Sequence, residues 1–267
     1  MIDLNTNAAK QRFRATIEKI SNGLEVSFSR AVIIGLNRSF TSAANLAATG
    51  NFNIATAIEK NSSYIKSTVE KNLKKNAETF GFLAFGEIFK KGKKSIETEF
   101  DEPIAAKFWA TMNRWIKFEA TKQIKNINRT TRNTIKNIIK RNILAGNSNA
   151  QIAKEIRSTG KIVSKSRAKT IARTETHNGA GKSIRTAVES SGIKLKYHEW
   201  ISANDSRTRV KRFNHLSANG ETVKIDDPFI NTGEEMAYPG DSAGSAGNVI
   251  NCRCQEIFYT RTPQKAA

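Results

Sequence analysis

The sequence predicts an α+β protein: an elongated, mainly helical amino-terminal part followed by a small, loop-rich α+β domain with a few short strands. Three observations carry this reading. Apolar residues step by three or four through most of residues 4–144, residues 202–248 are rich in Asn, Asp, Gly, Ser and Pro, and two short stretches flanking that segment have strand character.

From Leu4 to Phe40 the stripe is Phe13, Ile17, Ile20, Leu24, Phe28, Val32, Leu36 and Phe40, the period of an amphipathic helix. Gly23 and Gly35 are expected to weaken it, and they are the points at which it would divide into segments. A second helix is expected over Ile54 to Phe89, ending in the cluster Phe80, Phe82, Leu83, Phe85, Ile88 and Phe89. Lys90-Lys91-Gly92-Lys93-Lys94 then reads as a solvated turn.

Pro103 suits the first turn of a third helix, where its missing N–H costs nothing. From there Trp109, Met112, Ile116, Ala120, Ile124, Ile127, Thr131, Ile135 and Ile138 keep the three-four step toward Leu144, a rod of roughly 60 Å at 1.5 Å per residue if unbroken. A second stripe, Lys122, Lys125, Arg129, Arg132, Lys136 and Lys140, has the same step on the opposite face. Between Pro103 and Lys154 the single acidic residue is Glu119, so this is not a salt-bridged surface of mixed sign.

The pattern breaks at Ala145-Gly146-Asn147-Ser148-Asn149. We expect a basic helical region over residues 1–143, a second domain over 144–262 and a flexible tail over 263–267. Ser148 can cap a short helix through Ile156, and Ser164 or Ser166 can start another that runs to Ser190 before Gly192 stops it. Ile193 to Ile201 reads as a half-buried strand and Val249 to Tyr259 as the last one.

With 267 residues, a net charge of +20 and a pI near 10.1, the chain is a globular protein that favours polyanionic partners. Residues 1–160 hold 27 basic against 13 acidic side chains, whereas residues 161–267 hold 17 against 11, so the helical part carries most of the excess. The opening residues lack the apolar core of a secretory signal, and no stretch approaches the length of a membrane span. Synthesis and retention in a cytoplasm-like compartment are therefore expected.

The last third concentrates unusual polar residues: Arg173-Thr174-Glu175, Asp205-x-Arg207-Thr208-Arg209, His215, Pro239-Gly240-Asp241 and Asn251-Cys252-Arg253-Cys254. In this order, together with Leu144-x-Gly146-x-Ser148-x-x-x-Ile152-Ala153-x-Glu155-Ile156, Ile171-Ala172 and Trp200, they resemble the carboxyl-terminal domain of the Mu F-like head-morphogenesis proteins, minor capsid components of tailed bacteriophages. The resemblance spans roughly residues 140–262. It implies a minor head protein acting in procapsid or head assembly near the portal, with portal, scaffold or major capsid proteins as partners. It places the chain in the phage head, with the host cytoplasm as its site during assembly.

The basic stripe adds duplex DNA, bound without sequence preference, as a second expected partner. No small-molecule substrate and no membrane partner in the assembled head are expected.

Arg173 and Glu175 are read as buried charges that clamp the loop above them through Asp205 or Arg253. Arg207, Asp241, Asn251 and Arg253 belong to the same structural cluster. Asp205 suits a turn in which its carboxylate accepts backbone N–H groups; the functional alternative makes it a general base or metal ligand, with Arg207 gripping phosphate.

Cys252 and Cys254, two apart on an expected strand, put both thiols on one face, with His215 as a third candidate ligand. Buried apolar thiols are the plain reading, zinc the alternative, and no other cofactor is expected. His177 reads as a helix-surface residue and His198 as a residue on the polar face of its strand.

No phosphate loop, helical His-Glu-x-x-His or nucleophile elbow occurs, so no catalytic residue is assigned. The competing enzyme reading is a metal-dependent nuclease or nucleotide-modifying effector carried in the head, with Asp205, His215 and Asp241 around a metal-bound water. A plain nucleic-acid-binding module is the third.

Overall fold

The computed structural model describes residues 1–89 and 102–263. The α+β expectation holds: a mostly helical amino-terminal region leads into a small domain with three antiparallel strands. The elements are α1 (Asn7–Ala48), α2 (Ile54–Phe89), α3 (Glu102–Leu144), α4 (Asn149–Ser190), β1 (Tyr197–Ile201), β2 (Thr222–Lys224), α5 (Ala246–Val249) and β3 (Gln255–Tyr259). The expected Lys90–Lys94 turn and all but the first residue of the expected tail lie outside the described residues.

Local chemistry sets the helix ends. Thr6 Oγ1 accepts from Ala9 N–H and Asn53 Oδ1 from Thr56 N–H, so α1 and α2 each start on a capping side chain. At the end of α3, Gly146 takes the left-handed φ of +70° that a side chain would resist. Ser148 and Gln151 then exchange bonds between side chain and backbone, the reciprocal box that opens α4. The boundary expected between residues 143 and 144 thus falls at the last residue of α3.

Two helix expectations are corrected. α1 runs through Gly23 and Gly35 without a break. At Gly35 an added Cβ would sit 2.6 Å from Ile65 Cγ1, so the glycine lets α1 and α2 approach closely. α4 is one helix of 42 residues, not two. Ser164 is fully buried inside it and Ser166 Oγ donates to Val163 O, so neither acts as a cap.

The chain forms two compact units, both assembled from separate stretches of sequence. One comprises residues 25–72 and 115–172. Its core joins Phe40, Ala44, Ala47, Ile58, Ile135, Ile139, Ile152 and Ile156. Small residues set the spacing here, because a Cβ at Gly160 would lie 2.6 Å from Phe40 Cβ.

The other comprises residues 1–24, 73–114 and 173–267 and contains the sheet. Its strand order is β2-β1-β3, all antiparallel, with Tyr197 opposite both Lys224 and Tyr259 and Ile201 opposite Gln255. Ile2 forms a parallel bridge to Phe258, where Asp3 N–H and Phe258 N–H exchange bonds with Phe258 and Met1 carbonyls. The amino terminus thereby covers the outer edge of β3.

β1 and β3 are shorter than the expected strands, with residues 193–196 and 249–254 outside them. Every residue of β3 and four of the five in β1 are buried, so neither shows the alternation of a half-solvated strand.

Glycine changes separate these roles. Gly160→Val should lower unfolding free energy by about 1–3 kcal/mol through overpacking against Phe40. Gly23→Ala, on an exposed helix face with no neighbour within 4 Å, should raise it by about 0.4–1 kcal/mol. Urea unfolding of the two variants checks both signs.

Candidate functional site

β1 ends in a turn in which Asn204 adopts a φ of +50° and directs Asp205 outward. Asp205 Oδ1 accepts the N–H of Arg207 at 2.9 Å. Arg253 grips the same carboxylate with both terminal nitrogens, Nη1 to Oδ2 at 2.6 Å and Nη2 to Oδ1 at 2.7 Å. Glu18 from α1 joins them, bonded to Arg14 at 2.6 Å and lying 3.5 Å from Arg253.

The Arg253 bonds hold Asp205 far below the usual carboxylate range, helped by the Arg207 N–H and opposed by partial burial. Burial likewise opposes ionisation of Glu18, but bonds and charge from Arg14 and then Arg253 outweigh it. A carboxylate so strongly acidic and so fully engaged is a clamp and a poor proton acceptor.

Beneath this clamp three buried groups converge. His215 Nδ1 lies 3.3 Å from Cys254 Sγ and 3.7 Å from Cys252 Sγ. The ligand atoms of all three residues fall within 4.8 Å of one another. Among the described residues they form the one group of His, Cys, Asp and Glu donors close enough to share an ion.

The cysteines precede β3 and do not lie on it, so the strand argument for their common direction is corrected: a turn at Asn251, φ +60°, aims them. Burial raises the Cys252 thiol, but the bond from Cys254 and the nearby His177 and His215 pull it well below its ordinary value. Cys254 is pushed up by burial and by Cys252 beside it.

Residues 133–257 match the family described as phage Mu protein F like protein. That stretch is a Mu F-like domain. It takes in the end of α3, all of α4, the loops that carry Asp205 and His215, and most of β3. Neither the curated proteins nor the solved structures yield a match to this chain. The family points to phage head morphogenesis. Among the described residues no helix is long and apolar enough to cross a membrane.

The other residues singled out in the Mu F-like domain fall into separate places. Arg173 Nη1 donates to Asn251 Oδ1 at 3.4 Å, while Thr174 Oγ1 accepts from Asn251 N–H. Glu175 is buried. Asp241 accepts the N–H groups of Ala237 and Ala243, and so shapes its own turn. Asp205 and Asp241 are thus committed to different partners, and the structure does not bring the trio Asp205, His215 and Asp241 around one ion.

Two histidines are corrected. His177 is 6% exposed, because residues 174–180 of α4 form a continuous buried run. His198 is fully buried, with Nδ1 2.5 Å from Glu256 and Nε2 2.9 Å from Asp227 O.

The ion network around the sheet includes residues that sequence reasoning missed. Arg185 bonds Glu256, Glu189 and the carbonyls of Ile225 and Ala237. Lys10 meets both carboxylate oxygens of Glu199 at 2.8 Å, and the Tyr259 hydroxyl donates to the same group. The available signal was an acidic residue inside each strand, Glu199 and Glu256, which burial permits only with a partner.

On α3, Lys125, Arg129, Arg132, Lys136 and Lys140 are exposed and Lys122 is half-buried. The one acidic residue of that stretch, Glu119, is buried and accepts from Gln123.

Asp205→Asn should destabilise the fold at neutral pH by weakening the Arg253 clamp. Because the folded-state pKa of Asp205 is depressed, the clamp contributes fully above the unfolded value of about 3.9 and is lost progressively as pH falls below it. The gap between wild type and variant, followed by thermal unfolding, should stay constant from pH 8 to about 5 and narrow below about 4.

Proposed function

We propose that this chain is a structural minor head protein of a tailed bacteriophage, which joins the assembling procapsid near the portal and contacts packaged DNA without reading its sequence. The match of residues 133–257 to the Mu F family carries the reading. The charge on α3 supports its DNA half. Among the described residues none of Lys125, Arg129, Arg132, Lys136 and Lys140 makes an ion pair. Their spacing of three or four along one helix suits successive phosphates, which need only cations within reach and no contact to base edges.

The geometry of Asp205 favours the same reading over a nuclease. An active-site carboxylate must be free to accept a proton or hold a metal, whereas this one is bound on both oxygens by Arg253.

Binding to duplex DNA should fall steeply with salt and be indifferent to sequence. Replacing Lys125, Arg129, Arg132 and Lys136 together by alanine should flatten the log–log salt slope by about 3–4, the loss of four phosphate contacts at about 0.9 each. An unchanged slope would remove the DNA contact from the proposal. Separately, the chain should co-purify with procapsids and be captured by portal protein; its absence from heads and their precursors would overturn the assembly role.

A further inference from the structure

We propose that His215 Nδ1, Cys252 Sγ and Cys254 Sγ bind one tetrahedral zinc ion, with the fourth position filled by solvent from the cleft beside them. The inference does not depend on the head-assembly reading.

Spacing is the first argument. With Zn–S near 2.3 Å and Zn–N near 2.0–2.1 Å, a tetrahedral centre separates a nitrogen from a sulfur ligand by about 3.5 Å. The two Nδ1···Sγ distances, 3.3 and 3.7 Å, bracket that edge without any rearrangement.

The second is the histidine tautomer. Asn248 Nδ2 donates to Thr232 Oγ1 and to Glu234 Oε2, both at 3.1 Å, which leaves its Oδ1 as the acceptor that faces His215 Nε2 at 2.7 Å. Nε2 therefore carries the proton and Nδ1 presents its lone pair to the two sulfurs. Arg209 Nη1 also approaches Nε2, at 3.4 Å, but it donates at 3.1 Å to Asn248 O while Nη2 donates to Ile250 O. A carboxylate, an amide and an imidazole in line are the outer support that fixes a histidine ligand and raises its basicity.

Enclosure is the third. His215, Cys252 and Cys254 are each 1–2% exposed, and Trp200 stands edge-on to the imidazole at 5.4 Å between ring centres. A dry wall of this kind strengthens metal–ligand bonds. On the remaining side a cleft lined by Ala203, Arg207, Thr208 and Arg209 reaches the same three residues and admits a water to complete the shell.

Such an ion would close a loop of 37 residues between His215 and Cys252, in a stretch with little regular structure of its own. Ligand binding absent from the unfolded chain adds directly to folding stability.

Full-length protein, stripped with a chelator under reducing conditions and titrated with zinc, should bind about one equivalent per chain. Cobalt in its place should give a thiolate-to-metal charge-transfer band and the visible bands of tetrahedral coordination. Cys252→Ser, Cys254→Ser and His215→Ala should each lose the stoichiometric site, and His177→Gln should keep it. Asn248→Ala should retain the stoichiometry but weaken zinc binding about 10–100-fold, as loss of an outer-shell partner does. Wild-type protein that takes up no zinc, or cobalt without the thiolate band, would overturn the proposal even if every variant failed to fold. Undiminished zinc binding by both serine variants would do the same.

Discussion

Between β1 and β3 the chain runs for more than fifty residues with one three-residue strand and one four-residue helix, and its backbone polar groups must still find partners. Loops of that length are uncommon in compact domains, since the usual ladders are missing and each buried N–H or C=O left alone is costly. Side chains supply the partners here. Glu221 accepts the N–H groups of Ile230 and Asn231, Glu234 that of Ser245, Asp241 those of Ala237 and Ala243, and Asn219 that of Ser202. Arg209 satisfies the carbonyls of Asn248 and Ile250 from the opposite direction. Arg209 and Asp241, two of the polar residues by which the sequence resembles the Mu F-like domain, are thus among the side chains that tie its loops down.

The same constraint explains charges inside the sheet. Glu199 on β1 and Glu256 on β3 are about 5% exposed or less, and each is matched by a cation brought from a helix, Lys10 of α1 and Arg185 of α4. A buried carboxylate without a partner is costly, and the paired cation offsets that cost. Tyr259 shows the complementary effect: burial and the neighbouring Glu199 carboxylate push its hydroxyl far up, so it stays a donor to that group. Apolar substitutes of equal volume could give as much stability, but not the pairing that selects one docking of each helix onto the sheet.

How far the fold was legible in the sequence follows from periodicity. α1, α2 and α3 were readable because Phe28, Val32, Leu36 and Phe40, or Ile124, Ile127, Ile135 and Ile138, repeat on one face. α4 was read as two helices because Ser164 and Ser166 look like caps; the helix instead runs on past Gly160, which makes room for Phe40. β1 and β3 fall within the two stretches read as strands, but their burial on both faces leaves no clean alternation to mark where each begins. At the site, Cys252 and Cys254 were visible as a pair and His215 as a candidate ligand, but their convergence depends on a turn at Asn251 that no local pattern encodes. Glu18 could not be placed, because it reaches Arg253 from 235 residues away. Asn248, which orients His215, gave no signal beyond being one Asn in a Gly/Ser-rich stretch.

The treatment of charge differs between the two compact units, and the difference bears on function. In the unit with the sheet, arginines such as Arg185 and Arg253 are largely buried and each meets carboxylates within 2.6 Å. In the other, five cations on α3 stand in solvent with no acid on their face, and the nearby Glu155 is taken by Arg141 at the helix end. Like charges at this spacing repel by a few tenths of a kcal/mol per pair and return nothing to the fold. Folding alone would favour interspersed Glu or Asp at these positions, as on ordinary exposed helices. A one-sign face kept at a cost in stability agrees with the proposed contact to duplex DNA, where counterions released on binding phosphate would repay it.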